Sequence, residues 1–326
     1  MAIPRAETGR SGSGLRTGRK LGTQGLASPD GRRCLIPPDA LTMLESRSLH
    51  EPRLPPDRSM TQYPPAAPDA AVHAEVLAGI EAIQLEGFRD GPRFGVWWRP
   101  AQRAPRGAVL CVQPLGRERS LARHVLASQA WRLAGRGWAV LMPDLYGCGD
   151  SPGEPGEASL EGWRADLLRA AMIARQEHTG PNVFWGVRHG ALLAADVAVA
   201  LDQLVDAWIF WQAPDCGAGF DDAGHDGGRY SPALLAGVHE LQMQPPPVSE
   251  NGTPPSALFV EFEDPATGRG ELSPLTSTIT ESWLAAGYLA TPRVARCAPF
   301  WLPAPALPML PTPAWFATEE FLEGVR

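Results

Sequence analysis

The chain has 326 residues, 44% hydrophobic and 20% charged, with a formal net charge of −7, the makeup of a globular protein able to bury one large core. An acidic balance of this size speaks against a nucleic-acid surface. No run approaches about 18 unbroken apolar residues, and prolines at 299, 303, 305, 308, 311 and 313 break the apolar tail, so the protein is not expected to be integral to a membrane.

Residues 1–59 carry ten Lys or Arg against six Asp or Glu and scattered Gly, Ser and Pro without periodicity. A disordered or mis-started extension is expected over 1–70, with Met60 as an alternative initiator and the folded domain over 79–326. No signal-peptide core is evident, and five cysteines without a C-x-x-C pair fit a reducing, cytoplasmic setting.

From Gly79 the pattern becomes regular. IEAIQLEGF and PRFGVWWRP read as two strands around Arg89-Asp90-Gly91, an N-terminal hairpin. The strand GAVLCVQ (107–113), a helix over 118–134 and the strand WAVLMPD (138–144) come next. A helix over 160–177, the strand NVFWGV (182–187), the helix ALLAADVAVALDQL and the strand DAWIFWQ (206–212) continue the alternation. Short apolar strands alternating with helices predict a doubly wound, mostly parallel sheet covered on both faces. Residues 213–256 are Gly-, Asp- and Pro-rich with one helical stretch over 232–243, as expected of a reduced cap region. SALFVEFED, a helix over 275–286 and a strand within TPRVARCAPFW close the domain.

The chemistry of such a chain is expected at Gly186-Val187-Arg188-His189-Gly190, where a strand meets a helix through a glycine-flanked turn. This is the context of the G-x-S-x-G nucleophile elbow of the α/β-hydrolase fold, with Arg in place of Ser. A guanidinium has donors but no nucleophilic lone pair. The triad order in this fold places a histidine after the last strand, yet all seven histidines precede SALFVEFED. Asp264 stands near the acid position.

Gln113, Leu115 and Gly116, in the loop after the third strand, are the expected oxyanion or ligand-binding segment, joined by Val187 and His189 from the elbow. His189 is either an acid–base group or a helix-start packing residue, and Ser151 is a displaced nucleophile or a turn residue. Arg188 either receives an anion through its fork of donors or pairs structurally with an acid such as Asp144 or Asp264. No metal-ligand spacing and no P-loop ending is present, and no cofactor is expected.

The segment from GAVLCVQPLG to DLYGCGDSPGE, followed by WGVRHGALLAAD, IFWQAP and APFW, resembles the exosortase A system-associated hydrolase 2 family of the α/β-hydrolase superfamily. The resemblance covers roughly Ile80 to Trp301 and implies an Arg at the elbow as a shared feature. It further implies a setting beside exosortase and exopolysaccharide genes in bacteria that sort PEP-CTERM proteins. The partners implied are an acyl or anionic small molecule or envelope-biogenesis proteins, and the reaction implied is ester or thioester hydrolysis. After Gln212 the sequence departs from the family, carrying GAGFDDAGHDGGRY where a helical stretch is usual.

Overall fold

The computed structural model describes residues 79–101, 104–201, 204–221, 229–248, 253–303 and 310–325; the expectations for 1–70 lie outside these residues. Eight strands form one sheet in the order β1-β2-β4-β3-β5-β6-β7-β8. They are β1 Gly79–Leu85, β2 Arg93–Arg99, β3 Gly107–Val112, β4 Trp138–Pro143, β5 Asn182–Val187, β6 Ala207–Trp211, β7 Ser256–Glu263 and β8 Leu289–Arg296. The hairpin β1–β2 joins antiparallel to β4, and every other pairing is parallel. Among the described residues six α-helices connect or flank the strands: α1 Arg117–Gly135, α2 Leu160–Gln176, α3 His189–Leu201, α4 Pro232–Glu240, α5 Pro274–Ala285 and α6 Thr312–Gly324.

The near-continuous apolar strands follow from burial on both faces. Residues of β3 to β6 are fully buried along their length. Successive side chains point to opposite sides, so Phe184 joins the core beneath α2, α3 and α5 while Val183, Trp185 and Val187 join the core beneath α1 and α6. The first core also takes in Phe220, Tyr230, Leu234 and Val238 of the cap region, which is therefore packed onto the domain. Trp208, Phe210, Phe259, Trp283 and Tyr288 form an aromatic cluster with ring centroids 4.5 to 5.8 Å apart.

Helix α6 has no signal in the sequence, where its start lies in a proline-broken apolar tail. Pro313 stands in the first turn, where a missing N–H costs nothing, and Ala314, Trp315 and Leu322 are buried against the sheet. Glu319 on its inner face accepts from Arg132 Nε at 2.6 Å and pairs with Arg136 at 2.7 Å, tying α6 to α1. Among its described residues the cap holds one short helix, α4, N-capped by Ser231, with an isolated bridge between Cys216 and Gln242. Among the described residues no helix is long and apolar enough to cross a membrane.

Candidate functional site

Residue 188 is the tip of the turn between β5 and α3, at the carboxyl end of the parallel strands. Its φ of 55° is left-handed, a conformation costing an L-residue roughly 1–2 kcal/mol. The strain is held by packing that only glycine permits on either side. A Cβ on Gly186 would stand 2.5 Å from Ala191 Cα, and one on Gly190 would stand 2.6 Å from the Val112 carbonyl and closer still to that of Gln113. Helix α3 thus begins in contact with the end of β3. The Arg188 N–H donates to the Trp211 carbonyl at 2.9 Å, locking the turn to β6. Gln212, one residue beyond β6, has the other positive φ of a non-glycine described residue, 47°.

The Arg188 side chain is engaged rather than free. Its Nε and Nη2 donate to both carboxylate oxygens of Glu118, in the first turn of α1, at 3.1 to 3.3 Å. The guanidinium carbon lies 5.2 Å from the centroid of the Trp301 ring. Both partners of the ion pair are about one-fifth exposed. The acid that pairs with Arg188 is therefore Glu118, not the Asp144 or Asp264 considered from sequence; a glutamate at a helix start carries no sequence signal of what it will face.

Asp144 and Asp264 have other work. Asp144 is buried in an ion pair with Arg119, and it also accepts from Gln113 Nε2 and from the Asp150 N–H. Asp264 is exposed, and its carboxylate accepts from the Ala266 N–H at 2.8 Å within its own turn, a local Asx arrangement in place of the triad position expected from sequence. Ser151 donates to the Asp144 carbonyl at 2.6 Å and accepts from the Phe94 N–H at 2.9 Å, so its hydroxyl fastens the DLYGCGDS loop to β2. The turn reading of Ser151 is the one the geometry carries.

His189 is buried beside the tip, its ring 5.5 Å from that of Phe220. Burial, then the neighbouring Arg188 charge, lowers its pKa to about 4, against the pull of the Ala218 backbone. The imidazole is therefore neutral at pH 7, and its Nε2 is buried without a hydrogen-bond partner. Val187, fully buried, points into the core beneath α1 and α6.

The loop after β3 holds the residues named from sequence as an oxyanion or ligand-binding segment. Gly116 has φ 64° and caps α1 without a side-chain hydrogen bond. Gln113 spends its amide nitrogen on the Pro143 carbonyl and Asp144, leaving Oε1 buried and unpartnered. Leu115 is buried. A cavity of about 20 Å³, room for about one water, is bounded by Gln113, Leu115, Gly116, Arg119 and Cys148. Tyr230 of the cap, which carries no signal in the sequence, is buried with its phenol oxygen 4.0 Å from Cys148 Sγ. A larger cavity of about 620 Å³ lies at the opposite end of the sheet, against the amino ends of β6, β7 and β8. No group of three His, Cys, Asp or Glu among the described residues could hold a metal ion.

Comparison with solved structures identifies the architecture. The ferulic-acid complex of Est1E from Butyrivibrio proteoclasticus superposes with a TM-score of 0.53 at 14% identity, covering 74% of this chain and 98% of that one. DcsB in complex with its substrate analogue gives 0.53 at 12% identity, covering 75% and 98%. The fold is the α/β-hydrolase fold. No protein-family model and no curated protein sequence matches the chain. Within the α/β-hydrolase fold, the β5–α3 turn at Arg188 corresponds to the nucleophile elbow and the β3–α1 loop to the source of an oxyanion-hole amide. At these identities the likeness shows the fold alone, and the chemistry rests on the side chains just described.

Proposed function

We propose that this chain is an α/β-hydrolase-fold protein that binds an acyl or anionic ligand without a serine-type triad. We place it in the exosortase A and exopolysaccharide setting of the family its sequence resembles. The observation that carries this reading is the state of the elbow tip. A nucleophile there must be free and next to a base, whereas Arg188 is a cation forked onto Glu118 and laid on Trp301. The strained turn and the Gly116 loop, costly to keep for structure alone, support retention of a recognition site. Envelope-biogenesis proteins are alternative occupants of the same face.

A second reading, hydrolysis of an acyl ester or thioester, is favoured by His189. Its buried Nε2 stands unpartnered beside the elbow, the position from which a base would take a proton from water, while its lowered pKa makes it a weaker base than free histidine.

The test is turnover of short- and long-chain acyl esters and thioesters by the wild-type chain, Arg188→Ala, Arg188→Ser and His189→Gln, with carboxylate binding followed by thermal shift. The binding reading expects no turnover above the uncatalysed rate in any of the four, and a carboxylate-dependent rise in Tm that Arg188→Ala removes. Turnover abolished by His189→Gln would establish the hydrolase instead.

A further inference from the structure

The cavity of about 620 Å³ at the amino ends of β6, β7 and β8 has the size of a small-molecule site and lies at the other end of the sheet from the elbow. Trp208 and Tyr288 line it and are 2% and 4% exposed. Both rings pack edge-on against Trp283, with centroids 5.8 and 4.5 Å away, so this wall is fixed before any ligand arrives. Val199 and Leu289 also line the cavity but are 62% and 56% exposed, which puts them at its mouth.

The polar groups of the wall are mostly acceptors. Four prolines, at 246, 247, 254 and 255, bring carbonyls and no N–H. Tyr288 Oη spends its proton on the Pro246 carbonyl at 3.0 Å and keeps its lone pairs. Asp206, just before β6, accepts from the Asn182 N–H at 2.7 Å through one carboxylate oxygen, which holds the group in place. Among the described residues no Lys, Arg or His lines the cavity, so the Asp206 charge has no opposite partner on its wall. His178, the imidazole at this strand end, bonds Asn182 Oδ1 instead, at 3.0 Å. An anionic ligand would meet like charge here. An ammonium would bring donors to the carbonyls and a countercharge to Asp206, and aromatic rings favour a cation beside them.

We infer that this cavity is a second binding site, one that takes a primary alkylammonium whose nitrogen donates to Asp206 and the proline carbonyls while its chain lies along Trp208, Val199 and Leu289. The inference does not depend on the reading of the elbow, because the two places share no residue. No covalent step is involved.

The experiment titrates the full chain, labelled at its Val and Leu methyl groups, with n-hexylammonium and follows it by NMR, with hexanoate and n-hexanol as controls. Hexylammonium is expected to shift the Val199, Val205 and Leu289 methyls saturably and to bind about tenfold more tightly than either control, the factor expected of one hydrogen bond between charged groups. Asp206→Asn keeps the oxygen that accepts from Asn182 and should bring hexylammonium down to the level of hexanol. Val199→Lys, at an exposed helix position, sets a resident ammonium at the mouth and should weaken hexylammonium by a similar factor, which keeps the test decisive even if Asp206→Asn does not fold. Hexanoate or hexanol binding as tightly as hexylammonium overturns the ligand class. The site itself is overturned by the absence of saturable shifts at these methyls, or by affinity that neither substitution changes.

Discussion

Arginine is a costly residue for a left-handed turn, and its side chain offsets part of the cost through Glu118 and Trp301. Partly exposed ion pairs contribute up to about 1 kcal/mol and a cation over an aromatic face roughly as much again. Two substitutions separate backbone from side chain. Arg188→Ala loses both contacts and keeps the strain, so urea unfolding should place it about 1–2 kcal/mol below wild type. Arg188→Gly loses the same contacts but is relieved of the roughly 1–2 kcal/mol of left-handed strain, and should fall within about 1 kcal/mol of wild type. Equal losses in the two variants would mean that the turn is not strained.

At the scale of elements, the site is set by how closely α3 and α1 approach the strand ends. Gly190→Ala drives a methyl group into two backbone carbonyls that cannot move without unpairing β3. Gly135→Ala, at the end of α1 with open space around it, is the control. The first is expected to cost more than about 3 kcal/mol or to abolish soluble folded protein, the second to be neutral or slightly stabilising, as read by circular dichroism melts. The other fixed point is the Arg119–Asp144 pair, which joins α1 to the loop after β4 with both side chains buried. Gly149, with φ 59°, lets the loop pass over it: a Cβ there would meet both Asp144 and Arg119. Arg119→Met leaves the Asp144 carboxylate buried without its cation and should cost about 3–5 kcal/mol, with the Asp144→Asn, Arg119→Met double variant recovering part of it. A single variant as stable as wild type would show that the pair is not buried in solution.

For the molecule as a whole, buried neutral histidine links the site to acid stability. His189 has a folded pKa of about 4, below the roughly 6.5 of an unfolded chain, so the unfolded state takes up its proton first as pH falls. The stability this contributes is complete above about pH 6.5 and is lost as pH falls from there toward 4, amounting to about 3 kcal/mol over the interval. His178, lowered by burial, acts in the same direction. The fall in Tm between pH 7 and 4.5 should be clearly steeper for wild type than for His189→Gln. Parallel profiles would place the His189 imidazole in solvent.

Local signals made most of the architecture legible. Alternating apolar strands and helices, the Arg89-Asp90-Gly91 turn and the glycine-flanked turn at Arg188 follow from periodicity and backbone sterics, which act over a few residues. The parallel sheet and the elbow geometry could therefore be read directly. Helix α6 could not, because its prolines look like breakers until one of them is seen to occupy a first turn. Partner choice could not either. Glu118 is 70 residues from Arg188, and Arg119 is 25 residues from Asp144. Side-chain pairing across such distances depends on which strand ends the sheet order brings together, and no local pattern encodes it. The sequence by itself determined that the elbow carries arginine and that no histidine follows the last strands. The tertiary structure alone decided that this arginine is paired and that His189 is buried neutral, because burial and charge compensation are properties of packed neighbours.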